Sequence, residues 1–488
     1  MVASAPGDRL GGNAQEFVNT FAWTALGLIA GLGVVLYVGQ KLQQQVLKIP
    51  IRLSHAGVPR TPTWVIFSFL LSYALLLPGL FGTLFSYNIS GINGMIELVE
   101  ESESMVSFIH FLIKTDCWPG ALLVVLYAMV IPAVKLVLLI CSEIWRRGPA
   151  NQVMRARTCV QVLQHISKWA SPDMFAYVLL LYLLRGLNHL PVLKAIAQMD
   201  IGFTCFAVFC VGSTVAALGL KVPPPPEGQP EPRAGCRCFA RRPVILAGLV
   251  TLLFAVFMAA IIMGLRLPIM SLNVDINRFF KPNGPLALSM KPIIEGLHIA
   301  RLAHAEVSLW HCMLTLATWT GNGEANAFIA FVLFTVLVVA TTCLNMLLLL
   351  ATSLAVWVRP NSTNAASKML RVIKVIKKLS FLDVAVVGIV VVVVAGESYS
   401  ERGIILRMQV GLLLLFLAEL CHYAAYFCVE YAVLRRIQVR EATLTDIKKQ
   451  TALPAESGDS KPPQAAANES PRESAGEQVV VVMDLEAR

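Results

Sequence analysis

KWASPDMFAYVLLLYLLRGL, residues 168–187, is an apolar run that opens on a lysine and a tryptophan, turns through Ser171-Pro172-Asp173 and nearly closes on Arg185-Gly186. Helical at 1.5 Å per residue, a run of this length approaches the roughly 30 Å of a bilayer's hydrocarbon core. Its opening reads as a helix start, because proline fits the first turn and a carboxylate is favoured by the unpaired N–H groups and the positive end of the helix dipole. A buried ion pair is the other reading of Asp173, with Lys168, Lys378 or Lys135 as its partner.

The rest of the chain repeats this character. Of its 488 residues 56% are hydrophobic and only 14% charged, which is more apolar than the roughly 45–50% of a soluble domain. Apolar runs recur near 18–40, 62–86, 118–144, 172–189, 201–220, 243–266, 325–357, 380–396 and 405–434. Lipid offers no partners to a bare backbone, so runs without alternation read as helices. The expected fold is an all-α multi-pass transmembrane protein with about nine helices and small outside segments.

The net charge of +10 is placed in short loops beside spans, which makes it a topology signal and not a nucleic-acid footprint. Segments 41–61, 145–171, 221–242 and 358–379 hold about 20 Lys and Arg, whereas 1–17, 87–117, 190–200, 267–324 and 397–404 hold about eight. The basic set faces the cytosol by the positive-inside rule, which puts the N-terminus outside and the C-terminus in the cytosol. Residues 1–17 lack the basic start and cleavage pattern of a signal peptide, so the first span is expected to stay. Beyond about 435 the chain turns polar and Pro-rich, and 435–488 is expected to be a disordered cytosolic tail.

The opening stretch has a second copy. Residues 167–186 align without a gap on KKLSFLDVAVVGIVVVVVAG (377–396), pairing Lys168 with Lys378, Asp173 with Asp383 and Gly186 with Gly396. Upstream, Trp145 pairs with Trp357, and LLLPGL (75–80) pairs with GLRLPIM (264–270) through Pro78 and Pro268. Gly202 and Gly411 each open the last span of a copy. The organisation this implies is an extra N-terminal span and basic loop (1–61), a four-span module (62–220), a Pro-rich linker (221–242) and a second four-span module (243–434). Four spans per copy give both the same orientation, a parallel repeat.

These motifs resemble the paraquat-inducible protein A family. Its four-span module has a first helix ending in Leu-Pro, as in LLLPGL and LRLPIM. Its second helix carries a proline and a basic residue near the middle, as in IPAVKLVLL (131–139), and its third opens as in KWASPDMF and KLSFLDVA. The resemblance covers about 62–220 and 243–434. It implies a membrane subunit without its own ATPase that works beside extended lipid carriers of the MCE type. Bacterial relatives place a zinc ribbon ahead of each module, whereas here 41–61 has no cysteine and 221–242 has only Cys236 and Cys238. A closed tetrahedral site needs four ligands, so no metal or other cofactor is expected.

Ionisable groups within spans are costly and turn toward a bundle interior or a wet cavity. Lys135 lies about 15 Å of helix from the boundary at Trp145, and Pro132 one turn before it can kink the helix. Either it faces a polar cavity or its stem snorkels to the headgroups. The last span, AELCHYAAYFCVEYAVL (418–434), places Glu419, His422, Tyr423, Tyr426 and Glu430 on one broad face. Glu-x-x-His is half of a di-iron bundle motif, but its second half is missing. The expected polar network is Lys135, Asp173, Asp383, Glu419 and His422, with Lys135 and Glu419 coupled. Pro78, Pro132, Gly186, Pro268 and Gly396 are structural, and Arg185 is expected to snorkel at the outer end of its span.

Outside, SMVSFIHFLIK and SLWHCMLTLATW are amphipathic and suit the membrane surface or a bundle cap. Cys117 and Cys312 could form a disulfide in an oxidising compartment, and Asn88-Ile89-Ser90 is a glycosylation sequon. No phosphate loop, nucleophile elbow or His-rich loop cluster is present, so no catalytic residue is assigned and the chain is not expected to be an enzyme. The functional expectation is lipid or hydrophobic-molecule transport between membranes, with membrane lipids and an MCE-type carrier as partners. A tetraspanin-like scaffold and a proton-coupled small-solute carrier are the alternatives.

Overall fold

A computed structural model describes residues 61–91, 96–146, 148–186, 193–223, 243–274, 304–358, 363–397 and 404–451. The expected first span at 18–40, its basic loop, the cysteines of the linker and 452–488 of the expected tail lie outside these residues, whereas 435–451, expected to be disordered, continue the last helix. Among the described residues seven helical stretches are long and apolar enough to cross a membrane.

The chain begins with α1 (Thr63–Phe81), strands β1 (Thr83–Gly91) and β2 (Ile96–Ser104), and the short helix α2 (Met105–Lys114). Then come α3 (Trp118–Trp145), α4 (Ala150–Ile166), α5 (Pro172–Gly186), β3 (Leu193–Met199) and α6 (Ile201–Leu218). The second half runs α7 (Pro243–Arg266), β4 (Met270–Val274), β5 (His304–Val307), α8 (Leu309–Gly321), α9 (Ala325–Val358), α10 (Thr363–Leu379), α11 (Leu382–Glu397), β6 (Ile404–Met408) and α12 (Val410–Thr451). Among the described residues, element follows element in the same order in both halves.

The strands refine the all-helical expectation. Each half carries a three-stranded antiparallel sheet whose central strand follows the first helix: β2-β1-β3 and β5-β4-β6. Phe85 lies opposite Met199 and Tyr87 opposite Ala197; Leu272 lies opposite Leu406 and Ser271 opposite Arg407. The first span therefore stops at Phe81 and not at 86, where the Gly82 N–H donates to the Pro78 carbonyl at 2.9 Å and β-formers take over. Residues 405–408, read as the start of the last span, belong to the strand β6, and the Gln409 N–H donates to the Ile269 carbonyl at 3.0 Å before α12 begins. Asn88 lies within the central strand β1.

Two amphipathic stretches form α2 and α8. Ser104 and Ser308 cap them by accepting from the backbone N–H of Ser107 and His311. Their buried faces, Met105, Ile109 and Leu112 in α2 and Leu309, Cys312, Met313 and Leu316 in α8, turn into the core. Cys117 and Cys312 are buried and free, so the disulfide open to them in an oxidising compartment is not formed; the Cys117 thiol lies 3.6 Å from the Ala395 carbonyl.

The two halves meet along α5 and α11. The helix α5 has 15 residues, about 22 Å long, which is short for a span, but protein covers it, with every residue from Pro172 to Leu179 buried. Association in lipid rests on close packing and not on expulsion of water. A Cβ at Gly388 of α11 would lie 2.6 Å from the Pro172 carbonyl oxygen and 3.1 Å from the Phe175 Cβ, so only glycine admits this approach. The Phe175 ring meets Phe334 edge-on at 5.1 Å between centroids. Leu70, Leu77, Leu122, Val137, Leu252 and Leu413 are exposed on the outer surfaces, where acyl chains are their solvent.

Candidate functional site

Inside each half a polar pair sits in the greasy bundle. Lys135 on α3 is fully buried, its Nζ donating to the Ser167 carbonyl at 3.1 Å and to the Ser213 Oγ at 2.7 Å, with the Phe209 ring centroid 5.6 Å away. Snorkelling is thus replaced by internal partners. Pro132, one turn earlier, removes a helix donor, and its carbonyl accepts from the Tyr73 hydroxyl at 2.8 Å. The helix widens into a π-turn at Leu126–Val130 just before it. In the second half Asn345, near the position that corresponds to Lys135, is buried, and its amide lies 2.8 Å from the His422 Nε2. His422 Nδ1 lies 3.3 Å from both Glu419 carboxylate oxygens. A π-turn at Leu333–Ala340 precedes Asn345 without a proline in it.

The expected coupling of Lys135 to Glu419 is not formed. Lys135 is satisfied by α6 and the 3₁₀ turn Ser167–Ala170 of its own half, while Glu419 is turned to His422 on α12.

Between the halves the two aspartates part company. Asp383 is met by three donors: Lys168 Nζ at 2.5 Å, the Tyr423 hydroxyl at 2.9 Å and the Val384 N–H at 2.9 Å. Lys378, which the repeat aligns with Lys168, donates instead to the Gln164 Oε1 at 2.6 Å. Gln164 is held by its own amide, which donates to the Ala217 and Leu220 carbonyls. Asp173 stands in the first turn of α5, fully buried, and neither of its carboxylate oxygens has a hydrogen-bond partner.

Asp173 belongs to the wall of a cavity of about 310 Å³ at the seam. The cavity follows one face of α5 through Asp173, Ala176, Tyr177, Leu180, Leu183 and Leu184, about 16 Å of helix. Phe85, Tyr87, Glu103, Phe108, Phe111 and Val124 close it from the first half, and Leu272, Val391, Val392, Ala395, Gly396 and Leu406 from the second. Asp173 and Glu103 are the charged residues in this wall, and the Tyr177 hydroxyl is spent on the Met105 sulfur at 2.8 Å.

The polar face expected on the last span divides. Glu419 and His422 turn inward to Asn345. Tyr423 goes to the seam, and Tyr423, Tyr426 and Phe427 enclose Lys377, whose Nζ lies 3.9, 3.5 and 4.9 Å from their ring centroids. Glu430 pairs with Lys374 at 2.7 Å. Arg185, expected to snorkel, bridges the halves: its guanidinium meets Glu324 at 2.8 Å, stacks 3.8 Å from the Trp319 ring centroid and donates to the Ala197 carbonyl. The motif residues also differ by half. Pro78 lies inside α1, while Pro268 follows α7 and accepts from the Gly411 N–H at 2.9 Å. Gly186 ends α5 with open space around it, whereas Gly396 lies against Leu406.

Sequence reading missed Ser167, Ser213, Gln164 and Lys377. A hydroxyl or amide in a greasy helix is the one signal that marks them, and it marks many others equally.

Apolar helices around buried polar pairs and an apolar seam cavity define an integral, multi-pass helical membrane protein. Residues 69–221 match the family model described as Paraquat-inducible protein A, so the first half of the described bundle is similar to that family. The match takes in Pro78, Pro132, Lys135, Asp173 and Gly186. Neither a curated protein nor a solved structure matches the chain.

Proposed function

We propose that this protein is a subunit that moves lipid or another hydrophobic molecule between membranes, without an ATPase or other catalysis of its own, beside an MCE-type carrier. The observation that carries this reading is the seam cavity, which is large enough for a small ligand, at the lower end of the ~300–1,000 Å³ range of known sites, and is walled almost wholly by apolar side chains. A scaffold has no use for such a space.

In this reading the two halves are duplicated four-span modules in parallel orientation, the N-terminus is outside and the C-terminus cytosolic. The common element order, the matched sheets and the similarly placed pairs Lys135–Ser213 and Asn345–His422 support duplication. The cavity lies where the modules face one another, the position in which a rocking motion would open it to either side.

Mass spectrometry of amphiphiles that co-purify with the full chain in mild detergent tests the reading. Ala176→Phe, which fills the cavity, is expected to remove the bound amphiphile, while Val137→Ala on the outer surface leaves it in place. Equal retention in the two variants would overturn the assignment of the cavity, and an empty wild-type protein would overturn the transport reading.

A further inference from the structure

The cavity is chemically lopsided. Its wall carries two carboxylates and no Lys, Arg or His. An isolated carboxylate taken out of water is unfavourable by several kcal/mol, so it takes up a proton or finds a cation. Asp383 has found one in Lys168. Asp173 has none, because Lys378, the lysine the repeat provides for it, is engaged by Gln164.

Two features of the surroundings suit a positive guest. Asp173 stands in the first turn of α5, where the helix dipole stabilises negative charge. The rings of Phe85, Phe108 and Tyr177 form a mutual cluster along the same wall, with centroids 5.6–6.4 Å apart, and aromatic faces attract cations. Leu180, Leu183 and Leu184 continue the wall along α5 away from Asp173, so a guest lying along the helix has its apolar body there and its head at the carboxylate.

We propose that the seam cavity takes a long-chain amine, with the protonated nitrogen donating to the Asp173 carboxylate and the alkyl chain lying along Ala176, Leu180 and Leu184. This names the ligand class for the cavity of the preceding reading and rests on it. An anionic head would meet two like charges, and a neutral head would leave Asp173 as it is. The net charge of +10 opposes any general attraction of the amine to the protein, so a preference for it must come from a local site.

Dodecylamine and dodecanol, matched in chain and differing in head, are titrated against the full chain in neutral detergent at neutral pH, with native mass spectrometry as readout. The wild type is expected to bind the amine at least tenfold more tightly, and Asp173→Asn to bind the two within twofold while keeping its affinity for the alcohol. Leu180→Trp, which obstructs the cavity without touching the carboxylate, is expected to lose both probes. Equal wild-type affinities, or a preference that survives in Asp173→Asn, would overturn the inference and leave the transport reading standing. Binding of neither probe to the wild type would overturn both. The wild-type comparison decides even where a variant does not fold.

Discussion

Lys168 and Asp383 join the two halves across the seam, ammonium to carboxylate at 2.5 Å, each side chain about nine-tenths covered. The lysine belongs to the turn that leads into α5 and the aspartate to the first turn of α11. Removing one member leaves a buried charge uncompensated, which is unfavourable by about 3–5 kcal/mol, whereas replacing both with apolar residues is close to neutral. Lys168→Met is therefore expected to lower the thermal midpoint in detergent sharply, and Lys168→Met with Asp383→Leu to restore most of it. A double variant no better than the single one would show that the pair does not act as a unit.

Lys135 and Glu419 have separate partners. A double-mutant cycle of Lys135→Ala and Glu419→Ala is expected to be additive within about 0.5 kcal/mol. Lys135→Ala alone loses two charge-assisted hydrogen bonds and should destabilise by about 2 kcal/mol or more. Coupling above about 1 kcal/mol in chemical denaturation would require a contact between them.

Gly202 and Gly411 open the last helix of each half against backbone. A Cβ would lie 2.5 Å from the Thr83 carbonyl oxygen at Gly202, and 2.6 Å from those of Leu267 and Pro268 at Gly411. Backbone cannot rotate away, so either glycine-to-alanine change is expected to destabilise by about 1–3 kcal/mol. Gly248→Ala, with nothing within 4 Å, is expected to stabilise its helix by about 0.5–1 kcal/mol. Thermal melts of the three variants provide the comparison.

Arg185 holds Glu324 and lies over Trp319 in one posture. Lysine keeps the charge but has neither the planar face nor the fork. Arg185→Lys is expected to shift the Trp319 emission, read against a Trp319→Phe background, and to destabilise by about 1 kcal/mol. An unchanged spectrum would show that the stacking does not hold.

Much of the bundle was legible because period and length are local properties: the greasy runs near 118–144, 243–266 and 325–357 became α3, α7 and α9 within a few residues. The strands were hidden because β1, β4 and β6 adjoin apolar helices and are themselves apolar, so only pairing distinguishes them. For the site, sequence spacing identified Lys135, Asp173, Asp383, Glu419 and His422 as polar residues in spans. It did not reveal their partners, since a helix face gives direction without distance. Lys168 was one of several lysines open to either aspartate as an ion-pair partner, but alignment pairs Lys168 with Lys378 and says nothing of which crosses the seam. Arg185 reads as a chain-end charge until Trp319 and Glu324 are brought beside it from 134 and 139 residues away.

Each sheet clamps the strand after a half's first helix to the strand before its last. A slip of one residue there would turn every strand side chain to the opposite face. Piston-like sliding of α1 past α6, or of α7 past α12, is thereby opposed at the end of each half that carries the sheet. Each half is thus braced from its first helix to its last, which leaves the α5–α11 seam as the contact that no shared strand crosses.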